Sequence, residues 1–434
     1  MRFKSISMHS LSFWTFLFQM ALVIGLLFLI DLYAFQGIKT ALNGISVARF
    51  IKPAFWVFHI AFYIYFFIFF FGFFKGTKAS PGFINLSFTT FIIFYLPKLI
   101  FLVFLLGEDF YRGARFAFDK MSSLFQNSSA EPTPGVTLIS RGEFLNRAGI
   151  LVATIPFLGL LYGYVKGKYD YTVRKVKILI PDLPEALQGF TITQISDLHI
   201  GSFDDKDAVE NGIELANAQN SDLMVMTGDL VNNRTEEANE YENVFSKLKA
   251  PMGVFSILGN HDYGDYTRNW KDGEKEQNFQ DMLAIHKRMG WKLMMDENVI
   301  LEKNGEKIAL IGVQNISAKA NFHTYGNLSK AFSGSENIGT KILLSHDPTH
   351  WDAEVIKSFK DIHLTLSGHT HGAQMGIEIP GFKFSPSQWI FKHWAGLYTE
   401  GNQHLYVNRG FGFIGYAGRI GIKPEITVLE LGKA

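Results

Sequence analysis

Residues 11–30, LSFWTFLFQMALVIGLLFLI, run for twenty positions without a charge and stop at Asp31. At about 1.5 Å of rise per residue, a helix of that length spans about 30 Å, the thickness of a bilayer's hydrocarbon core. A second uncharged run covers 53–74 (PAFWVFHIAFYIYFFIFFFGFF). A third covers 86–106 with Pro97-Lys98 interrupting it, and a fourth covers 148–165. One such run fits a buried core helix. Four within 165 residues predict an all-α transmembrane region over residues 1–168, followed by a separate domain over 169–434. The runs predict an integral position in a membrane. Lys98 is then an intramembrane charge, of the kind that snorkels, faces a neighbouring helix or marks a functional site.

Charge divides along the same line. Residues 1–169 carry 15 Lys/Arg against 6 Asp/Glu, whereas residues 170–434 carry 26 against 34. The overall +1 conceals a basic membrane part and an acidic domain. An acidic domain argues against bulk nucleic-acid binding, which relies on Lys and Arg neutralising phosphates. Bound divalent cations would offset that negative charge. There is no cysteine, which excludes disulfides, thiolate zinc sites and cysteine nucleophiles. Any metal site must use His, Asp, Glu and Asn.

The stretch 126–135, QNSSAEPTPG, reads as loop. Just beyond it, Ser140-Arg141-Gly142-Glu143-Phe144-Leu145 resembles a twin-arginine export signal with Gly142 in the second arginine's place. That resemblance implies that residues 166–434 face out of the cytoplasm. The positive-inside count gives no direction, since the two sides carry about 9 and 8 Lys/Arg near the membrane ends.

From residue 170 the texture changes to short apolar runs alternating with helical patterns. Strands are predicted at 190–195, 222–227, 253–258, 307–313, 340–344, 361–366, 404–408 and 425–431, and helices near 207–219, 236–249, 276–289 and 351–359. Such alternation predicts an α/β domain with stacked sheets. Chemistry follows the strands. FTITQI is followed by Ser196-Asp197-Leu198-His199, DLMVMT by Gly228-Asp229, and GVFSIL by Gly259-Asn260-His261-Asp262. TKILL is followed by Ser345-His346-Asp347, and DIHLTL by Ser367-Gly368-His369-Thr370-His371. Five strands thus end in oxygen or nitrogen donors, on the loops where α/β domains gather their sites. Hard oxygen and imidazole donors suit divalent ions that keep an open position. A pair of such ions about 3.5–4 Å apart activates water and polarises phosphoryl oxygens.

Taken together and in this order, DLH, GD, GNHD, SHDP and GHTHG resemble the calcineurin-like metallophosphoesterase superfamily over about residues 180–431. The resemblance implies a four-layer α/β/β/α sandwich with a dinuclear centre on one edge. It implies two divalent ions, from Mn, Zn, Fe or Mg. Asp197, His199 and His371 would hold the first ion, Asn260, His346 and His369 the second, and Asp229 would bridge them. His261 would be the unliganded histidine that gives the leaving oxygen a proton. Many phosphatases of the superfamily carry an aspartate where Asn232 stands, which places this chain nearer the diverse phosphodiesterases. Related membrane-bound members include hydrolases of a lipid A precursor, so the implied partners are the lipid bilayer and a phosphoester substrate, lipid-linked in the leading reading. A phosphomonoesterase or nucleotidase and a non-catalytic metal-binding sensor are the alternatives. Arg409, in the NRGFG run 408–412, is a candidate phosphate contact. His286 reads as surface, His350 and His363 sit near site elements in sequence with His363 as core, and His323, His393 and His404 are pocket candidates. The aromatic and basic run 380–397, PGFKFSPSQWIFKHWAGL, reads either as a packed loop or as a segment that dips into lipid.

Overall fold

The computed structural model describes residues 12–75, 81–123, 141–267 and 270–434. The loop expected at 126–135 and Ser140 of the export-like run lie outside them. The chain divides into two compact units, Met1–Leu161 and Tyr162–Ala434.

The first unit is built on α1 (Phe13–Ala41), α2 (Ala48–Phe74), α3 (Pro81–Ser123) and α4 (Arg141–Val165). All four are long and apolar enough to cross a membrane. Ser12 starts α1, its Oγ accepting the Thr15 N–H at 3.2 Å. Two sequence expectations need correction here. Asp31 does not end the first span: α1 continues to Ala41, and Asp31 is fully buried. The Tyr95 hydroxyl donates to it at 2.9 Å, the Tyr63 hydroxyl and Lys98 Nζ also donate to it, and Lys98 Nζ lies 2.9 Å from His59 Nε2. A carboxylate so paired does not need water, so the helix has no reason to stop. Nor does Pro97 interrupt the third span, because α3 runs through it; one lost backbone hydrogen bond is tolerated inside a packed membrane helix. Packing is close where glycine permits it. A Cβ on Gly37 would come within 2.5 Å of Leu105 and 2.7 Å of Phe101, the small-residue contact by which membrane helices approach one another.

The second unit holds two six-stranded sheets. The first contains β1 (Thr172–Ile180), β2 (Thr191–Ile195), β3 (Leu223–Thr227), β4 (Val254–Ile257), β5 (Lys292–Leu293) and β14 (Glu425–Lys433), in the order β1-β14-β2-β3-β4-β5. The other contains β6 (Glu297–Lys303), β7 (Glu306–Gly312), β8 (Thr340–Leu344), β9 (Leu364–Ser367), β12 (Gly396–Glu400) and β13 (Gln403–Val407), in the order β12-β13-β9-β8-β7-β6. A separate ribbon pairs β10 (Ile377–Ile379) with β11 (Phe382–Phe384).

Strands β3, β8 and β9 are buried at every position, which is why they read as continuous apolar runs rather than as alternation. One core lies between the sheets, where Ile192, Val225 and Ile257 meet Leu310, Ile342 and Leu366. A second packs the outer face of the first sheet, through Met224 and Met226, on helices α5 (Lys206–Asn217), α6 (Glu242–Phe245) and α7 (Glu274–Arg288). A third sets Ile311 and Leu343 against Leu328, Trp351 and Val355. Helix, sheet, sheet and helix are the four layers the motifs implied.

Several elements depart from the sequence expectation. Strand β1 was not anticipated, because its exposed lysines and half-buried Arg174 mask a nine-residue parallel pairing with β14. The helix expected over 236–249 is a turn at Thr235–Ala238 followed by the four-residue α6. His286, expected at the surface, is fully buried in α7 with its Nδ1 2.8 Å from the Met282 carbonyl.

Candidate metal centre

Neighbouring strands β2, β3 and β4 are parallel, as are β7, β8 and β9, so the loops after them leave in a common direction within each sheet. Those loops bring the predicted residues together. His199 Nε2 lies 3.0 Å from His371 Nε2, and His371 Nε2 lies 3.3 Å from Asp197 Oδ1. Asp229 Oδ2 stands 3.6 Å from His199 Nε2 and 3.1 Å from His346 Nε2. His369 Nδ1 is 3.2 Å from His346 Nε2. Among the described residues, three groups have donor atoms within 4.8 Å of one another: Asp197/His199/His371, His199/Asp229/His261 and Asp229/His346/His369. Donors bound at about 2.0–2.2 Å to one tetrahedral ion sit at such separations.

Several local features aim these lone pairs. The Nδ1–H of His346 donates to the Thr227 carbonyl at 2.7 Å, which turns Nε2 toward Asp229 and His369. Asn260 gives its Nδ2–H to the Tyr266 hydroxyl at 2.8 Å, while its buried Oδ1 has no hydrogen-bond partner. Asp197 accepts the His369 N–H at 2.8 Å. Backbone strain concentrates here as well. Asp197, His199, Asp229, His369 and His371 all have positive φ, between 47° and 73°, a conformation that costs about 1–3 kcal/mol for a non-glycine residue. Gly228 (φ 94°) and Gly368 cannot be replaced cheaply: their Cβ atoms would fall 2.6 Å from Gly259 N and 2.0 Å from Ser196 Oγ.

Burial keeps most of these imidazoles unprotonated. It lowers His199 to about 3 and His369 to about 4. Burial also holds His371 well below the ordinary value, helped by His199 and Arg419. His346 is the exception, because Asp229 overrides burial and raises it to about 10. Burial, with Asp229 beside it, pushes the Asp197 carboxyl up to about 7. Buried carboxylates and imidazole lone pairs facing one another lack compensating charge, and divalent cations supply it. The donor set fits a pair of such ions.

The calcineurin-like phosphoesterase profile matches residues 190–373, and the profile described as "Probable Calcineurin-like phosphoesterase, transmembrane domain" matches residues 13–168. The metallophosphoesterase YkuE of Bacillus subtilis is 30% identical over 303 residues, covering 68% of this chain and 98% of that protein. The chain belongs to the calcineurin-like metallophosphoesterases. It is thereby a membrane-associated, metal-dependent hydrolase of phosphoesters. A zebrafish transmembrane protein with a metallophosphoesterase domain is 28% identical over 68% of this chain, which spans only 65% of that protein. Phosphodiesterase YaeI of Escherichia coli is 25% identical over 68% of this chain and the whole of that protein.

In this metallophosphoesterase the GD and GNHD loops are tied by a residue that sequence reasoning passed over. The Asp262 carboxylate accepts the N–H groups of Asp229 and Gly259, both at 2.9 Å, and those of Leu230 and Val231 at 2.8 and 3.2 Å. Burial and Asp229 push its carboxyl up to about 7, against the pull of those N–H groups. Its place directly after His261 was the available signal. Asp347 was likewise missed; its Oδ2 lies 3.6 Å from His369 Nε2.

His261 is oriented, but not by the Asn232 side chain. Its Nδ1–H donates to the Asn232 backbone carbonyl at 2.6 Å, while the Asn232 side chain turns to Ser202. Arg409 is no phosphate contact, because it is 3% exposed and bonded to Glu425 at 2.6 Å and Glu378 at 2.7 Å. Of the other histidines, His350 is held by Ser345 and Glu354, His393 lies 3.0 Å from Asp352, and His404 bonds Thr399 and the Leu179 carbonyl. His363 is half-buried just before β9, and His323 is exposed. The 380–397 run borders the centre, its Phe391 ring 5.3 Å from that of His369.

Proposed function

We propose that this metallophosphoesterase hydrolyses a phosphodiester or pyrophosphate bond of a lipid-linked or envelope substrate at the membrane surface, using two divalent ions. The observation that carries the reading is the position of Asp229 Oδ2, 3.6 Å from His199 Nε2 and 3.1 Å from His346 Nε2. In this reading Asp197, His199 and His371 hold one ion, Asn260, His346 and His369 hold the other, and Asp229 is common to both. Such a pair, from Mn, Zn, Fe or Mg, supplies charge neutralisation at the phosphoryl group and an activated water. His261 does the proton work. Its Nδ1 is committed to the Asn232 carbonyl, which leaves Nε2 as the atom that delivers a proton to the departing oxygen.

The choice of a diester is supported by the activity named for the E. coli relative. Four apolar helices on the same chain support a membrane-held substrate, since tethering raises the local concentration of whatever the bilayer carries. The reading places the chain in a bacterial plasma membrane with residues 166–434 outward, supported by bacterial relatives and the export-like run at the start of α4. Protease added to sealed cells tests that side.

The activity test is turnover of bis-p-nitrophenyl phosphate and lipid-linked pyrophosphates by enzyme loaded with Mn, Zn, Fe or Mg. Hydrolysis of the diester in preference to p-nitrophenyl phosphate is the expected result. Preference for the monoester would make the protein a phosphomonoesterase, and no turnover of any substrate would end the diesterase reading.

A further inference from the structure

The ribbon of β10 and β11 is patterned backwards for an exposed element. Register pairs Ile377 with Phe384, Glu378 with Lys383 and Ile379 with Phe382. Alternation therefore puts the charged pair on one face and the apolar pairs on the other. The charged face turns toward the domain: half-buried Glu378 accepts from Arg174 at 2.8 Å and from Arg409 at 2.7 Å, and Lys383, itself exposed, reaches back to donate to the Ala395 carbonyl at 2.6 Å. The apolar face turns out, with Ile377, Ile379 and Phe382 each more than half exposed. Trp389 and Ile390, a few residues on, are 74% and 61% exposed. A water-facing ribbon would reverse this pattern, and an exposed apolar cluster of this kind marks a contact surface.

Its location identifies what it meets. The last turn of α4 belongs to the second unit, and there the Gly163 carbonyl accepts the Arg419 N–H at 3.3 Å. Ile420, the next residue, exchanges backbone hydrogen bonds with Gln374 (2.8 Å) and Gly376 (2.9 Å), where the chain enters β10. The ribbon is thus rooted one backbone step from the end of a membrane-crossing helix. On its other side, Ile390 directly precedes Phe391, which packs on His369.

We infer that the outer face of residues 377–390 inserts into the lipid surface and opens the metal centre toward the bilayer, so that the substrate reaches it from the membrane phase. This rests on the reading of a membrane-held substrate and narrows it to one presented at the lipid interface. Tryptophan and large aliphatic side chains suit that boundary, and exposed, basic Lys392 beside them suits anionic headgroups.

The cysteine-free chain allows a direct test. Single cysteines at Ile379, Phe382 and Ile390, and at exposed Lys249 as control, are labelled with an environment-sensitive nitrobenzoxadiazole dye. The full-length protein is then placed in vesicles of phosphatidylglycerol and phosphatidylethanolamine carrying doxyl lipid. All three patch sites should show blue-shifted emission and doxyl quenching, and Lys249 should show neither. Emission at the patch matching Lys249, or dye shielded from aqueous iodide yet unquenched by doxyl lipid, would overturn the inference; the latter would mean a protein covers the face. The readout does not depend on turnover. Insertion without hydrolysis would sink the proposed activity alone, and hydrolysis without insertion would sink this inference alone.

Discussion

Replacing Asp262 with Asn removes one negative charge and almost no volume, yet the structure predicts a large effect. Each carboxylate oxygen of Asp262 accepts two buried N–H groups, Asp229 and Gly259 on one, Leu230 and Val231 on the other. An amide keeps one oxygen and turns an NH2 toward the other pair, so two buried donors lose their acceptor. At about 1–3 kcal/mol each, the loss is about 4 kcal/mol, or about 8–16 °C in Tm for a unit of this size. The same N–H groups hold Asp229 at its φ of 60° and fix the turn that carries Asn260. Metal content should therefore fall along with stability. Thermal denaturation of purified D262N in detergent, with metal quantified by mass spectrometry, is the assay. A Tm within about 2 °C of wild type, less than about 1 kcal/mol, with full metal content, would refute the claim that Asp262 ties the two loops.

Other consequences are as specific. His261→Ala should lower kcat by about two to four decades while metal content stays at the wild-type level, as read by diester hydrolysis and metal analysis on one preparation. Asp31→Asn or Lys98→Met alone should destabilise the helical unit by about 3–5 kcal/mol, because each leaves a buried charge unpaired, and the double variant should recover much of the loss; melting in detergent micelles reads both. His286, buried and lowered to about 4 from 6.5, takes a proton in the unfolded chain before it does in the folded one. Its contribution is therefore complete above pH 6.5 and drains away as pH falls toward 4, a loss on the order of 3 kcal/mol. His286→Gln should flatten the stability profile across that window, and an unchanged profile would count against the burial assigned to it.

What the sequence disclosed followed from local pattern. Runs such as LMVMT and TKILL announce buried strands because every side chain is apolar or packed, and the polar triplets behind them stand out. Three charge-free runs and a fourth broken only by Lys98 announce the helices for the same reason. The misses share a different cause, pairing between residues distant in sequence. Asp31 looked like a helix end because its partners Tyr63, Tyr95 and Lys98 lie on other helices. Arg409 looked free because Glu378 and Glu425 come from other elements. Strand β1 escaped prediction because its partner, β14, lies at the opposite end of the domain. Asn232 was judged by its side chain, whereas its backbone carbonyl makes the bond to His261, and no residue identity announces that.

The central claim is that Asp229 stands between two cations. Anomalous diffraction from crystals of the full chain grown with Mn measures this directly. The account predicts two peaks per chain about 3.5–4 Å apart, one beside Asp197, His199 and His371, the other beside Asn260, His346 and His369, with an Asp229 oxygen reaching both. A single peak away from Asp229, or none at full Mn occupancy in solution, would contradict it.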